Sequence, residues 1–110
     1  MIPVYNPKSN MKLGSGIAPV ARMLERDIPV ALGTDGSASN DSSNMLRELQ
    51  TALLVHRVGT GVDAMPARRV LEMATLGGAR VLGRDDIGAL VPGKAADMAM
   101  FDLRGLEYAG

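Results

Sequence analysis

The segment 30-VALGTDGSASND-41 indicates the fold class, because a short apolar run passes directly into a polar loop. Residues 30–32 predict a buried strand that ends at Gly33, and an unbroken apolar run is typical of a parallel sheet covered on both faces. Asp35 follows just past the carboxyl end of this strand, ahead of a loop rich in serine and asparagine. A carboxylate in that position can bind a divalent cation or accept a proton from water.

The candidate site residues also have simpler interpretations. Asp35 alone can be a turn residue that bonds nearby backbone amides, and Asp41 is interpreted as a helix-start residue. His56 is the only histidine and falls on the apolar stripe of a predicted helix, which favours a core histidine and excludes a multi-histidine metal site. A triad of Ser37 or Ser39 with His56 and Asp35 is disfavoured, because the sequence contains no G-x-S-x-G turn.

The flanking sequence predicts strands that alternate with helices, as in an α/β protein. The predicted elements are, in chain order, a strand over 2–5, a loop over 8–16, a helix over 18–26, a strand over 28–32, a helix over 44–57 broken by Gly59 and Gly61, a helix that begins at Pro66, and a short segment over 77–82. Ser43 is predicted to cap the long helix. After a turn at 85–88, the alternation of Met98, Met100 and Leu103 predicts a further strand.

The composition excludes several classes of function. A chain of 110 residues with 46% hydrophobic content supports one modest core. The 12 basic residues balance the 12 acidic ones, so neither nucleic acid nor a membrane is an expected partner. The lack of cysteine excludes disulfides, thiolate nucleophiles and zinc–thiolate clusters, and it fits a reducing compartment. Without a signal-peptide pattern or a long apolar run, we expect a cytoplasmic protein.

Four colinear segments of the chain resemble the C-terminal part of amidohydrolase-superfamily enzymes. They are 6-NPKSNMKLGSGIAPV-20, 31-ALGTDGSASNDSSNM-45, 72-EMATLGGARVLG-83 and 88-GALVPGKAADMAMFD-102. Within the superfamily these segments are most similar to the purine and triazine aminohydrolases, and the runs DGSASNDSSNM and GARVLGRDDIGAL favour the 8-oxoguanine deaminase group. Both chain ends also lack lead-in and capping sequence, so we expect a fragment of a longer protein.

The resemblance implies the C-terminal portion of a (β/α)8 TIM-like barrel, with strands seven and eight and the following helices, over residues 1–84. Residues 85–110 would begin the return to a small β-sandwich domain. The resemblance assigns residues 30–34 to the eighth strand and makes Asp35 both a ligand of the single catalytic metal and the residue that shuttles a proton from the attacking water to the leaving amine. Zinc is the expected metal, with iron as the alternative.

The implied activity is hydrolytic deamination of a C–N bond on a heteroaromatic ring, in an 8-oxoguanine-like purine or a triazine, by a homo-oligomer. The family's remaining metal ligands and its proton-transfer glutamate would precede Met1, and Tyr5 stands where many relatives have histidine. We therefore expect the isolated 110-residue chain to be inactive and marginally stable. The alternatives are a non-catalytic binding or structural remnant, and a small hydrolase that uses Asp35, Asp41 and His56.

Overall fold

The computed structural model describes residues 1–109 and contains two short strands with helices between and after them. The strands are β1 (Val4–Tyr5) and β2 (Ala31–Leu32). The helices are α1 (Pro7–Lys12), α2 (Val20–Leu24), α3 (Ser37–Asn40), α4 (Met45–Thr60), α5 (Ala67–Glu72) and α6 (Gly78–Val81). A π-helical turn (Met73–Gly77) joins α5 to α6, and a 3-10 turn (Leu106–Tyr108) lies near the end of the chain.

The two strands form a parallel pair, which confirms the α/β class. Val4 pairs with Ala31 and Tyr5 with Leu32, and the N–H of Gly33 donates to the Tyr5 carbonyl at 2.9 Å. Parallel neighbours need a crossover connection, and α1 and α2 lie within it. The strands are shorter than the predicted ranges 2–5 and 28–32, because only two residues on each enter the ladder.

The loop predicted over residues 8–16 is wrong in its first part, where α1 forms instead. Pro7 stands in the first turn of α1, where its missing N–H would have had no helical partner and its fixed φ suits the helix. The Asn-Pro pair therefore begins a helix rather than a loop. Gly14 and Gly16, with φ of 66° and 91°, then take the chain away from the helix.

The long helix α4 differs from its prediction at both ends. Asn44, and not Ser43, caps it: the Asn44 side chain accepts hydrogen bonds from the N–H groups of the second and third helical residues, at 3.0 and 3.3 Å. The helix also continues through Gly59 and ends only at Gly61, whose φ is 91°. A single glycine lowers helix propensity without ending a helix, whereas a positive φ ends it.

The strand predicted around Met98, Met100 and Leu103 is wrong. The described residues 95–104 form neither helix nor strand, and these three side chains are 68%, 98% and 60% exposed. A strand needs a neighbouring strand with which to pair, and within residues 1–109 this segment pairs with neither β1 nor β2.

The core lies between β2, the π-helical turn and α4. Its buried apolar side chains are Tyr5, Val20, Val30, Leu32, Ala52, Met65, Val70 and Met73. Gly77 of the π-helical turn packs directly on β2, since a Cβ atom built there would lie 2.6 Å from the Val30 carbonyl oxygen. Within the described part of the chain, no helix is long and apolar enough to span a bilayer.

Candidate active site

Asp35 lies at the carboxyl edge of the strand pair. Because β1 and β2 are parallel, the segments that follow them leave the sheet on the same side. The two segments pass so closely that a Cβ atom built at Gly33 would lie 2.5 Å from Asn6 Oδ1. This placement brings α1, which begins directly after β1, against the segment that carries Asp35.

Three hydrogen bonds hold the Asp35 carboxylate. Ser9 of α1 donates to Oδ2 at 2.6 Å, Ser39 of α3 donates to the same oxygen at 3.0 Å, and the Gly36 N–H donates to Oδ1 at 2.8 Å. Together, with the Ser9 bond first, they lower the pKa of Asp35 below its ordinary value. Asp35 is therefore an exposed, ionised carboxylate with a fixed orientation.

The backbone at Asp35 is also unusual, with a φ of 63°. Few residues other than glycine adopt this left-handed conformation, and aspartate and asparagine tolerate it best. The bond from the Gly36 N–H to the Asp35 side chain stabilises the turn locally. The turn-residue interpretation of Asp35 is therefore correct for its backbone, and it leaves Oδ1 with acceptor capacity for another partner.

A buried polar cluster supports the loop that follows Asp35. Asn40 is 1% exposed, and its Nδ2 group donates both to the Thr34 carbonyl and, at 2.6 Å, to Oε1 of Glu48. Glu48 lies on α4 and is fully buried, and its Oε2 accepts a 3.3 Å hydrogen bond from the Lys8 N–H. The cluster thus joins α1, the loop and α4.

Sequence reasoning missed four residues of this arrangement: Ser9, Ser39, Asn40 and Glu48. Ser9 could have been found, because it follows the predicted neighbouring strand and the carboxyl ends of parallel strands meet at one edge. Ser39 and Asn40 belong to the segment after Asp35 that was predicted to be a loop and instead forms α3. Glu48 gives no local signal, since its partners Lys8 and Asn40 are 40 and 8 residues away along the chain.

Asp41 does not start a helix, contrary to its prediction. It follows the last residue of α3 with a φ of 61°, and α4 begins only at Met45. Its exposed carboxylate pairs with Lys12 Nζ at 2.5 Å, which lowers the pKa of Asp41. The side chain therefore closes the loop onto the end of α1.

His56 is a core histidine, as predicted. It is 6% exposed, its ring lies 5.6 Å from that of Tyr5, and its Nε2 atom has no hydrogen-bond partner within residues 1–109. Burial lowers the pKa of His56, which keeps the ring neutral. Because Nε2 bonds to no serine, the Ser-His-Asp triad does not form.

The improvised metal site is not assembled either. Among the described residues, no three histidine, aspartate or glutamate side chains gather closely enough to hold a metal ion. Asp41 is engaged by Lys12, and His56 is packed against Tyr5 in the core. Asp35 is thus the only one of the three predicted residues that presents an ionised group at the carboxyl edge of the strands.

Comparison with known proteins assigns the family. The sequence profile of the amidohydrolase family matches residues 1–109. This chain belongs to the amidohydrolase family. The 5'-deoxyadenosine deaminase of Methanosarcina acetivorans is 54% identical over 101 residues, which are 91% of this chain and 23% of that protein. The 8-oxoguanine deaminase of Pseudomonas aeruginosa is 48% identical over 104 residues, which are 94% of this chain and 23% of that protein.

A solved structure also matches the fold. The zinc-bound adenosine deaminase of Xanthomonas campestris superimposes with a TM-score of 0.87 at 41% identity, over 98% of this chain and 25% of that one. The amidohydrolase chain therefore spans about a quarter of the length of the relatives it matches.

Asp35 fits the role of one metal ligand. A metal-binding carboxylate must be ionised, and the hydrogen bonds to Asp35 favour that form. An ionised carboxylate has about four lone-pair sites, and the three bonds to Ser9, Gly36 and Ser39 leave acceptor capacity on Oδ1. A catalytic zinc ion requires about three protein ligands, and among the described residues no such group gathers around Asp35.

Proposed function

We propose that this chain is the part of a metal-dependent hydrolytic deaminase that carries strands seven and eight of the barrel, over residues 1–84, and the start of the β-sandwich, over 85–110. The main support is the ionised Asp35 carboxylate, fixed at the carboxyl edge of two parallel strands in an amidohydrolase chain. In (β/α)8 enzymes the chemistry gathers at that edge. The zinc in the Xanthomonas relative supports a divalent metal here.

In the proposed reaction, water replaces an amino group on a heteroaromatic ring. A divalent metal, zinc or iron, supplies Lewis acidity that makes water a competent nucleophile near neutral pH. Asp35 would be one of the residues that hold the metal; it would accept one proton of the water as the water oxygen bonds to the ring carbon, and return that proton to the leaving nitrogen as the C–N bond breaks. The second proton of the water would pass to the ring nitrogen by way of the family's proton-transfer glutamate, which lies outside these residues. The products are the ring carbonyl compound and ammonia or an amine.

We propose an aminopurine as the substrate class, with an 8-oxoguanine-like purine first and a triazine as the alternative. Support comes from the relatives, whose names give 8-oxoguanine and 5'-deoxyadenosine as substrates. The residues that contact the ring lie mostly outside this chain under this proposal. A homo-oligomer located in the cytoplasm remains our expectation.

The test uses the longest natural polypeptide that contains residues 1–110, here termed the parent polypeptide, with Asp35→Asn and the matched control Asp41→Asn. Both changes replace an exposed aspartate at positive φ with an isosteric amide, but Asp41 only pairs with Lys12. We expect Asp35→Asn to lose bound zinc and to lower the rate of ammonia release from 8-oxoguanine or guanine at least about 100-fold. The control should retain both. Unchanged turnover in Asp35→Asn would refute the assigned role.

A non-catalytic remnant is the second candidate, because the described residues assemble no metal-binding cluster and the chain spans 23% of its relative. A chimera separates the two candidates: residues 1–110 replace the matching segment of the Methanosarcina deaminase. If residues 1–110 can support catalysis, the chimera should deaminate 5'-deoxyadenosine, and the change Asp35→Asn in the chimera should abolish that activity. A chimera that folds and binds zinc but does not turn over would favour the remnant.

A further inference from the structure

Glu48 is an acidic side chain that is completely buried in the interior of the chain. Its carboxylate accepts hydrogen bonds from Asn40 Nδ2 at 2.6 Å and from the Lys8 N–H at 3.3 Å. Within residues 1–109 it forms no salt bridge. Burial of a carboxylate without a cationic partner is costly, and an apolar side chain at such a position is often more stable. The cost of burying Glu48 therefore opposes the stabilisation from the two hydrogen bonds that it accepts.

Both partners of Glu48 lead to Asp35. Through Oε1, Glu48 fixes Asn40, whose Nδ2 group also donates to the carbonyl of Thr34, the residue before Asp35. Through Oε2, it holds the backbone of Lys8, the residue before Ser9, and Ser9 donates to Asp35 at 2.6 Å. One buried carboxylate thus fastens the two segments that meet at the Asp35 side chain.

We propose that Glu48 is a positioning residue for Asp35, acting through Asn40 on the backbone before Asp35 and through Lys8 on the serine that orients its carboxylate. This inference rests on the proposed function, because the orientation of Asp35 matters only if it binds the metal. Groups that orient a metal ligand typically contribute 10-fold to 100-fold in metal affinity. The interaction network, rather than any direct contact, gives Glu48 its role.

The experiment measures zinc affinity by chelator competition in the parent polypeptide, together with the melting midpoint of the metal-free protein. Glu48→Gln keeps the shape of the side chain, but its amide has one acceptor and one donor group, so it cannot accept from both Asn40 and Lys8. We expect zinc affinity to fall about 10-fold to 100-fold with no drop in the melting midpoint. Glu72→Gln, a control on α5 whose carboxylate pairs with surface arginines, should leave zinc affinity unchanged.

A double variant provides the rescue. Asn40→Asp combined with Glu48→Gln reverses donor and acceptor between the two side chains, and the new amide oxygen can again accept from the Lys8 N–H. The bond to the Thr34 carbonyl is replaced by a contact between two acceptor oxygens, so the double variant restores only the route through Lys8. We expect the double variant to recover part of the zinc affinity that Glu48→Gln loses. Amide hydrogen exchange over residues 33–41 should also be slower in the double variant than in Glu48→Gln.

The outcomes separate this inference from the proposed function. If Asp35→Asn binds zinc as tightly as the unmodified protein, the proposed function fails and the positioning role fails with it. If Asp35→Asn abolishes zinc binding but Glu48→Gln stays within twofold of the unmodified protein, only the positioning role is overturned. A Glu48→Gln variant that loses zinc affinity only together with melting temperature, without rescue by the double variant, also overturns it.

Discussion

Replacement of Gly77 by alanine would place a methyl group against the backbone of β2. The new Cβ atom would lie 2.6 Å from the Val30 carbonyl oxygen and 3.0 Å from Ala31 Cα. Both contacts are with backbone, so no side chain can rotate away, and the π-helical turn or the strand must move. Since β2 leads within three residues to Asp35, the movement reaches the proposed metal ligand.

The neighbouring Gly78 provides a matched control. The two glycines have helical φ values of −59° and −60°, but a Cβ atom at Gly78 meets no atom of the described residues within 4 Å beyond its own helix. Replacement of glycine by alanine within a helix stabilises it by about 0.5–1 kcal/mol, and this gain applies at either position. Overpacking at Gly77 costs about 1–3 kcal/mol. The gain in helix propensity is common to both variants. The difference of about 1–3 kcal/mol between their free energies of unfolding therefore measures the steric cost at Gly77.

The assay is denaturant unfolding of the two variants in the parent polypeptide, with bound zinc measured on the same samples. We expect Gly78→Ala to be slightly more stable than the unmodified protein and Gly77→Ala to be the less stable of the pair, with reduced zinc content. Equal stability of the two variants would refute the inferred packing of the π-helical turn on β2.

Three further outcomes are expected. Asn44→Ala should destabilise α4 by about 1 kcal/mol through loss of its cap, measured by denaturant unfolding, while Ser43→Ala changes stability by less than about 0.5 kcal/mol. His56→Phe should raise stability by about 1 kcal/mol, because it removes a buried nitrogen without a partner. Burial lowers the pKa of His56, so on acidification the histidine of the unfolded state takes up a proton before that of the folded state. The unmodified protein should therefore lose stability as the pH falls below about 6.5. Melting temperatures measured over a series of pH values should fall less steeply in His56→Phe. The isolated 110-residue chain should bind an apolar dye and self-associate in sedimentation, and a sharp monomeric melt with low dye binding would contradict this.

The elements that the sequence predicted well depend on neighbours along the chain. The apolar run before Gly33 predicted the strand β2 and the position of Asp35 after it. The helical spacing of apolar residues predicted most of α4. Local signals were ambiguous where two structures share one pattern: Asn-Pro can end a strand or begin a helix, and alternating methionines form a strand only beside a free sheet edge. Glu48 could not be predicted, because its role depends on contacts made only after folding.

The left-handed backbone at Asp35 limits which residues can replace it during evolution. Asparagine and glycine suit a φ of 63° but lack the negative charge, whereas glutamate keeps the charge and fits that backbone poorly. Aspartate alone meets both demands. Under the proposed function, a lineage that has abandoned the reaction can drift to asparagine here and keep the left-handed backbone, while a lineage that still uses the carboxylate cannot leave aspartate. Under the same proposal, the identity of this one position across related genomes would record which relatives still use the carboxylate.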